Sequence, residues 1–208
     1  FKKYCTFLRA IEATKCLDKT SVFALVDHFN SYRSDVVYDI EERENSGQET
    51  LRSTMLEEFF CHLLFDLAYE RSAPGVRNLV IGRSEGYVDL TFAPRDFKSA
   101  FSNPNPYLHV KAQDFVIGIG ADLNVRARGA EYKKDADQAI VVPVIAIECK
   151  TYIEKNMLES CAGTSSRLKK AMPYCCYIVA AEYMKMDESY PELTEINEVY
   201  VLCKASNG

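Results

Sequence analysis

The chain has 208 residues, of which 48% are hydrophobic and 26% are charged, and its formal net charge is −5. This length allows one sizeable core, and the acidic balance argues against a protein that coats nucleic acid non-specifically. No apolar run reaches the roughly 20 residues of a membrane span, and no signal-peptide pattern opens the chain, so we expect a soluble protein.

The first third of the chain has the apolar spacing of helices. Apolar side chains recur every three or four residues over 7–11 and 22–29. A polar, turn-like segment at 41–48 separates them from a stronger helix. That helix is predicted over residues 50–69, and Pro74-Gly75 marks its end. Its apolar stripe consists of Leu56, Phe60, Leu63, Leu64 and Leu67.

The middle of the chain changes to strand character. Two apolar runs flank a Ser-Glu-Gly segment at residues 84–86, and this arrangement predicts a hairpin. Residues 103–106, Asn-Pro-Asn-Pro, predict a loop, and residues 107–119 are again extended. Residues 122–138 carry dense charge of both signs, which predicts an exposed connection to the next strand.

The last third begins with an apolar strand over residues 141–150. Residues 153–172 then suit a helix that Pro173 ends, and residues 174–183 and 198–203 indicate two more strands. The order of helices, strands, one helix and further strands predicts an α/β fold, with a central mixed β-sheet flanked by helices.

The cysteines indicate a reducing compartment. The chain has eight of them, scattered, without a CxxC pair, and several lie inside apolar runs as reduced core thiols do. With three histidines in the chain to supplement them, a zinc site is not expected. We therefore expect a cytosolic protein. Because the chain starts at Phe1 rather than at a methionine, we also expect a fragment or trimmed ends.

The most informative motif is the end of the apolar strand, where Glu148 and Lys150 stand two positions apart. Strand side chains alternate between faces, so these two share one face, while Cys149 points to the other and joins the core. Paired charges at the end of a buried strand must offset their desolvation. Binding a metal ion and orienting a water molecule would do so.

A metal site at Glu148 needs a second acid. The best candidate is Asp114, which begins the preceding apolar strand, because consecutive strands are usually neighbours in a sheet. Asp89 is its rival, in a comparable strand farther from Glu148 in sequence. A nearby helix could add another acid, and we favour Glu57, at the edge of the apolar stripe, over Glu58. For both glutamates, the alternative to a role at the site is a solvated position on the helix surface.

These residue types suit phosphate chemistry. The oxygen ligands of Asp114 and Glu148 favour Mg²⁺, which activates water and neutralises charge on a phosphate. Lys150 would orient the attacking water or stabilise the charge that develops on the phosphate. The alternative for the pair of charges is an ordinary salt-bridged strand end.

An acid on one strand, E-x-K at the end of the next, then a helix and another strand resemble the PD-(D/E)XK nuclease superfamily over residues 50–183. Asp114, Glu148 and Lys150 take the places of the motif, and Gln113 stands where the family often has proline. The run Glu148–Tyr152 is similar to E-x-K-T-Y in type II restriction endonucleases of the two-subunit BbvCI type. The resemblance implies an N-terminal helical region over residues 1–48 packed on a nuclease core over 49–208.

The resemblance also implies a function. We expect a Mg²⁺-dependent type II restriction endonuclease of the bacterial cytoplasm, which cuts double-stranded DNA as a homodimer or as a heterodimer with a related subunit. The alternatives are a repair or recombination nuclease of the same fold, and a non-catalytic DNA-binding subunit.

Basic side chains around the following helix are candidates for DNA contacts, namely Lys155, Arg167 and Lys169. Cations near the end of that helix would also be favoured by its dipole. A second basic group at residues 126–134 is interleaved with acids, so an ordinary mixed-sign surface is favoured there.

Overall fold

A computed structural model describes residues 2–41, 48–71, 77–102, 105–125, 137–186 and 194–202. Four α-helices and five strands lie in these ranges. The helices are α1 Lys2–Glu12, α2 Lys19–Glu41, α3 Gln48–Arg71 and α4 Lys155–Ala171. The strands are β1 Leu79–Phe92, β2 Pro106–Leu123, β3 Gln138–Ile153, β4 Cys176–Met184 and β5 Glu198–Val201. A short 3-10 turn, Ser99–Phe101, lies between β1 and β2.

The chain forms two compact units, Phe1–Val76 and Arg77–Gly208. The sequence-based division came earlier, after residue 48, and its separation of a helical region from a nuclease core stays a prediction. No helix in the described ranges is long and apolar enough to cross a membrane.

The first unit consists of the predicted helices α1, α2 and α3. The predicted stripe of α3 is only partly right, because Met55, Leu56 and Phe59 are its buried apolar residues whereas Leu67 is 38% exposed. Phe59 packs against Phe29 of α2, with ring centroids 4.8 Å apart. Most of the turn predicted before α3 lies outside the described residues. The Pro74-Gly75 segment predicted to end α3 lies outside them entirely.

The second unit is built on a mixed sheet in the order β1-β2-β3-β4-β5. The pairs β1–β2 and β2–β3 are antiparallel, whereas β3–β4 and β4–β5 are parallel. The α/β class and the mixed sheet predicted from the sequence are therefore confirmed. Helix α4 covers one face of the sheet and buries Leu158, Cys161 and Leu168 there with Tyr177 and Val179 of β4.

The predicted hairpin at residues 84–86 is wrong, because β1 runs through these residues as one strand. The partner strand β2 is long enough to pair with both halves of β1, and irregularities at Gly82/Ser84 and Tyr87/Asp89 absorb the change of register. Gly82 lies at one of them with φ of 119°, a conformation that favours glycine. At Gly86 the requirement is space rather than backbone conformation, since an added Cβ would lie 3.3 Å from Cδ2 of Leu168 in α4.

Strand β3 also differs from the expectation that it ends at Lys150. It continues to Ile153, and its last residues pair with β4 as far as Ile153↔Met184. Glu148 and Lys150 therefore lie within β3, paired with β4, rather than at the end of the strand. No disulfide joins the cysteines that the structure describes, and Cys149 is buried as expected.

Candidate active site

The candidate site begins with the register of β2 and β3. Phe115 of β2 pairs with Ile147 of β3, so the next positions along the two strands are Asp114 and Glu148. The backbone N–H of Cys149 donates a hydrogen bond of 2.8 Å to Oδ2 of Asp114. The predicted strand acid therefore lies beside the E-x-K segment, on the neighbouring strand.

Lys150 joins the two carboxylates. Its Nζ lies 2.6 Å from Oε1 of Glu148 and 3.8 Å from Oδ2 of Asp114. Since both carboxylates lie near the same nitrogen, the Asp114 and Glu148 side chains converge on the Lys150 ammonium group. All three side chains are half-buried, with 18% to 29% of each exposed, so a ligand can reach them from solvent.

The local charges change the pKa values of this group. Burial and the charge of Glu148 raise the pKa of Asp114, against the opposing effect of the Cys149 N–H. Burial lowers the pKa of Lys150, but its hydrogen bond to Glu148 and the charges of Glu148 and Asp114 outweigh burial, so that pKa is raised. A bound cation would relieve the repulsion between the two acids.

Two further residues lie near the group and were not singled out from the sequence as site residues. The hydroxyl of buried Tyr177 on β4 lies 3.5 Å from Oε2 of Glu148. The Tyr177 hydroxyl also interacts with the thiol of Cys161 on α4, whose pKa is raised to about 11, mainly by burial and by the charge of Glu148. Neither residue belongs to a recognisable motif, because only the parallel pairing of β3 with β4 brings Tyr177 to this place.

The donor set fits a hard divalent cation. Among the described residues, His, Cys, Asp and Glu form no cluster of three that could hold a metal. Mg²⁺ does not need one, since it keeps several waters and uses one or two carboxylates together with substrate phosphates. Asp114 and Glu148 supply those two carboxylates, and their mutual repulsion is what a cation would remove.

The sequence also offered Asp89, Glu57 and Glu58 as candidate acids. Asp89 is exposed on β1, opposite His109 of β2, with 3.8 Å between Oδ1 and Nε2. Glu57 and Glu58 belong to α3 in the first unit, where the Tyr4 hydroxyl donates a 2.8 Å hydrogen bond to Glu58. That hydrogen bond is the main reason that the pKa of Tyr4 is raised to about 12. A role for Glu57 at the site stays a prediction.

The candidate DNA-binding cations divide between the two ends of α4. Lys155 is its exposed first residue, next to the end of β3, while Arg167 and Lys169 lie in the last two turns. Arg167 lies twelve positions after Lys155 on the helix, which is about 18 Å. The basic group predicted at residues 126–134 lies outside the described residues.

Comparisons with known proteins identify one family and one solved structure of similar fold. The family model of the Bpu10I restriction endonuclease matches residues 48–207, a range that includes Asp114, Glu148 and Lys150. Among solved structures, a chain of the native BbvCI A2B2 tetramer at low resolution matches with a TM-score of 0.73 and 19% sequence identity. The match covers 98% of this chain and 73% of that chain, and it shows a common fold. A comparison with curated proteins finds no match.

Proposed function

The chain belongs to the Bpu10I restriction endonuclease family, and on this basis we propose that it is a Mg²⁺-dependent type II enzyme that hydrolyses double-stranded DNA at a specific sequence. One observation carries the proposal: Asp114 and Glu148, from adjacent strands, both lie within 3.8 Å of the Lys150 ammonium nitrogen. An ordinary salt bridge needs one acid, and the second acid is explained by a cation.

Asp114 and Glu148 are the residues that would hold the metal. When bound, a divalent ion lowers the pKa of a water ligand and neutralises charge on the scissile phosphate. The chain contributes the orientation of the two carboxylates. The Cys149 N–H donates a hydrogen bond to Asp114, and the Tyr177 hydroxyl lies 3.5 Å from Oε2 of Glu148.

Lys150 would act as a hydrogen-bond donor and a cation. Its ammonium group already donates to Glu148 at 2.6 Å, and it carries protons that can orient an attacking water. A fixed cation in a half-buried site also stabilises negative charge that develops on the phosphate, and it does so without reorganising during the reaction. Both roles need the group protonated, and the neighbouring acids favour that form.

We propose that the enzyme assembles with a second subunit, because one such site cuts one strand. The BbvCI neighbour is an A2B2 tetramer, and a homodimer or a heterodimer with a related subunit would supply the second site. We place it in the bacterial cytoplasm, where the described cysteines, which form no disulfide, would stay reduced.

Plasmid cleavage tests this proposal. Purified protein is incubated with supercoiled plasmid and Mg²⁺, and the ends are mapped. We expect discrete cuts that EDTA abolishes. Glu148→Ala and Lys150→Ala should abolish cleavage while DNA binding in Ca²⁺ survives. The control Lys19→Ala removes a lysine that lies over the Phe23 ring in the helical unit. Full activity of either site variant would refute the assignment, and nicked circles alone would show one site acting on one strand.

A further inference from the structure

The distal halves of β1 and β2 form a two-stranded ribbon, defined here as residues 87–92 of β1 and 106–111 of β2. The β2–β3 ladder runs from Phe115 to Leu123, and the single β1–β3 pair is at Gly86. The ribbon lies beyond both of these pairings, on the same strand that carries Asp114.

One face of the ribbon carries a compact polar cluster. Asp89 pairs with His109 and Thr91 pairs with Tyr107 across the two strands. The Thr91 hydroxyl lies 3.0 Å from Nε2 of His109, whose ring meets the Tyr107 ring edge-on, with centroids 4.7 Å apart. Lys111 follows on the same face. All five side chains are exposed, so their donors and acceptors can exchange internal partners for those of a ligand.

We propose that this face reads base pairs in the major groove of the DNA that the enzyme cuts, with Asp89, Thr91 and His109 at the base edges. The inference rests on the proposed function. The major groove is about 12 Å wide and admits a two-stranded ribbon, whose strands lie about 4.8 Å apart. A carboxylate accepts from the cytosine amine, a lysine donates to guanine, and a threonine can pair with either type of edge. Histidine can donate or accept.

The position of the ribbon on β2 relates base recognition to DNA cleavage, because the same strand carries Asp114. Asp114 lies five positions after His109, which is at most about 17 Å of extended strand. That length corresponds to about five base pairs at about 3.4 Å each. A ribbon seated in the groove would therefore fix the distance between the bases it reads and the phosphate that reaches Lys150.

The charge around the ribbon favours DNA over a protein partner. Over residues 87–111 the cations Arg95, Lys98 and Lys111 outnumber the acids Asp89 and Asp96, and all five are exposed. Arg95 and Lys98, in the connection between β1 and β2, can contact phosphates on either side of the groove. The chain as a whole is acidic. Phe97 and Phe101, 83% and 82% exposed in the same connection, would suit a protein surface, so the test also measures assembly.

The experiment compares three single variants, His109→Ala, Thr91→Val and Asp89→Asn, with the wild type. After the cut site is mapped on a plasmid, binding in Ca²⁺ and cleavage in Mg²⁺ are measured on a duplex with that site and on duplexes with each base pair changed. Val110→Ala is the matched control, because Val110 is 40% exposed on the opposite face of the ribbon. Thermal melting and light scattering report folding and assembly.

We expect each ribbon variant to lose roughly tenfold in discrimination at one or two base pairs, while Val110→Ala keeps the wild-type preference. Unchanged preference in all three variants would overturn the inference, and so would an equal loss on every duplex or a loss of assembly. Wild-type protein that neither binds nor cuts any duplex would remove the proposed function and the inference together. Normal wild-type cleavage with unaffected ribbon variants would remove the inference alone.

Discussion

The backbone N–H of Cys149 donates a 2.8 Å hydrogen bond to Oδ2 of Asp114. The bond continues the connection between β2 and β3 one step past their last regular pair, Phe115↔Ile147. It therefore fixes the carboxylate of one strand beside the Glu148 side chain of the other. A main-chain donor holds its position more firmly than a flexible side chain, so Asp114 is oriented before any ligand arrives.

Replacing Asp114 tests which strand acid serves the metal. Asp114→Asn keeps an acceptor for the Cys149 N–H but removes the charge, so we expect a normal fold and at least a 100-fold loss of cleavage, on the order of that for removing one preorganised electrostatic group. The rate is measured against Mg²⁺ concentration, with Asp122→Asn, an exposed residue near the end of the same strand, as the control. If Asp89→Asn lost metal-dependent cleavage and Asp114→Asn kept it, the acid would be reassigned.

Tyr177→Phe tests whether the buried hydroxyl helps to orient Glu148. The hydroxyl lies 3.5 Å from Oε2 of Glu148, so its removal should raise the Mg²⁺ concentration needed for half-maximal cleavage roughly 10-fold or more, as losses of groups that orient metal ligands do. Loss of one weak hydrogen bond should change the free energy of unfolding by only about 1 kcal/mol. An unchanged metal requirement would limit Tyr177 to a packing role.

Three glycine-to-alanine variants test the packing of the second unit. Gly163 lies in the middle of α4 with nothing within 4 Å of an added Cβ, so Gly163→Ala should stabilise the fold by about 0.5–1 kcal/mol. At Gly118 the Cβ would lie 2.6 Å from the Val142 carbonyl oxygen, and Gly118→Ala should destabilise by about 1–3 kcal/mol. Gly86→Ala should fall between them, since its contact with Leu168 is 3.3 Å. Urea unfolding measures all three.

The cations of α4 are tested by salt dependence. Each lysine or arginine that contacts a phosphate adds about one unit to the slope of log affinity against log salt. Lys155→Ala, Arg167→Ala and Lys169→Ala should each lower that slope by about one in Ca²⁺-supported binding. A slope equal to that of wild type would leave Arg167 and Lys169 with the role of stabilising the end of α4.

The two glutamates of α3 should behave differently. Glu58 accepts a hydrogen bond from Tyr4, so Glu58→Ala, which removes the acceptor, should cost about 1 kcal/mol of stability and leave cleavage intact. Glu57→Gln should lower the cleavage rate, if Glu57 completes the site as predicted. Paired melting and cleavage assays separate these effects, and the reverse pattern would exchange the two assignments.

The sequence by itself determined whatever depends on local periodicity. The helices, the apolar strands and the placement of Glu148 and Lys150 on one strand face follow from repeats of 3.6 and 2 residues, which are properties of neighbouring positions. The E-x-K motif also needed no structure, because its residues are two positions apart.

The tertiary structure decided what depends on pairing between distant segments. Asp114 and Asp89 look alike in sequence, but the register of β2 with β3 brings the first to Lys150 and that of β1 with β2 brings the second to His109. Gly86 suggested a turn and instead makes room for Leu168 of α4. Tyr177 reaches Glu148 only through the parallel pairing of β3 with β4. Register is set by bulges and long-range contacts, which leave no periodic trace in either partner.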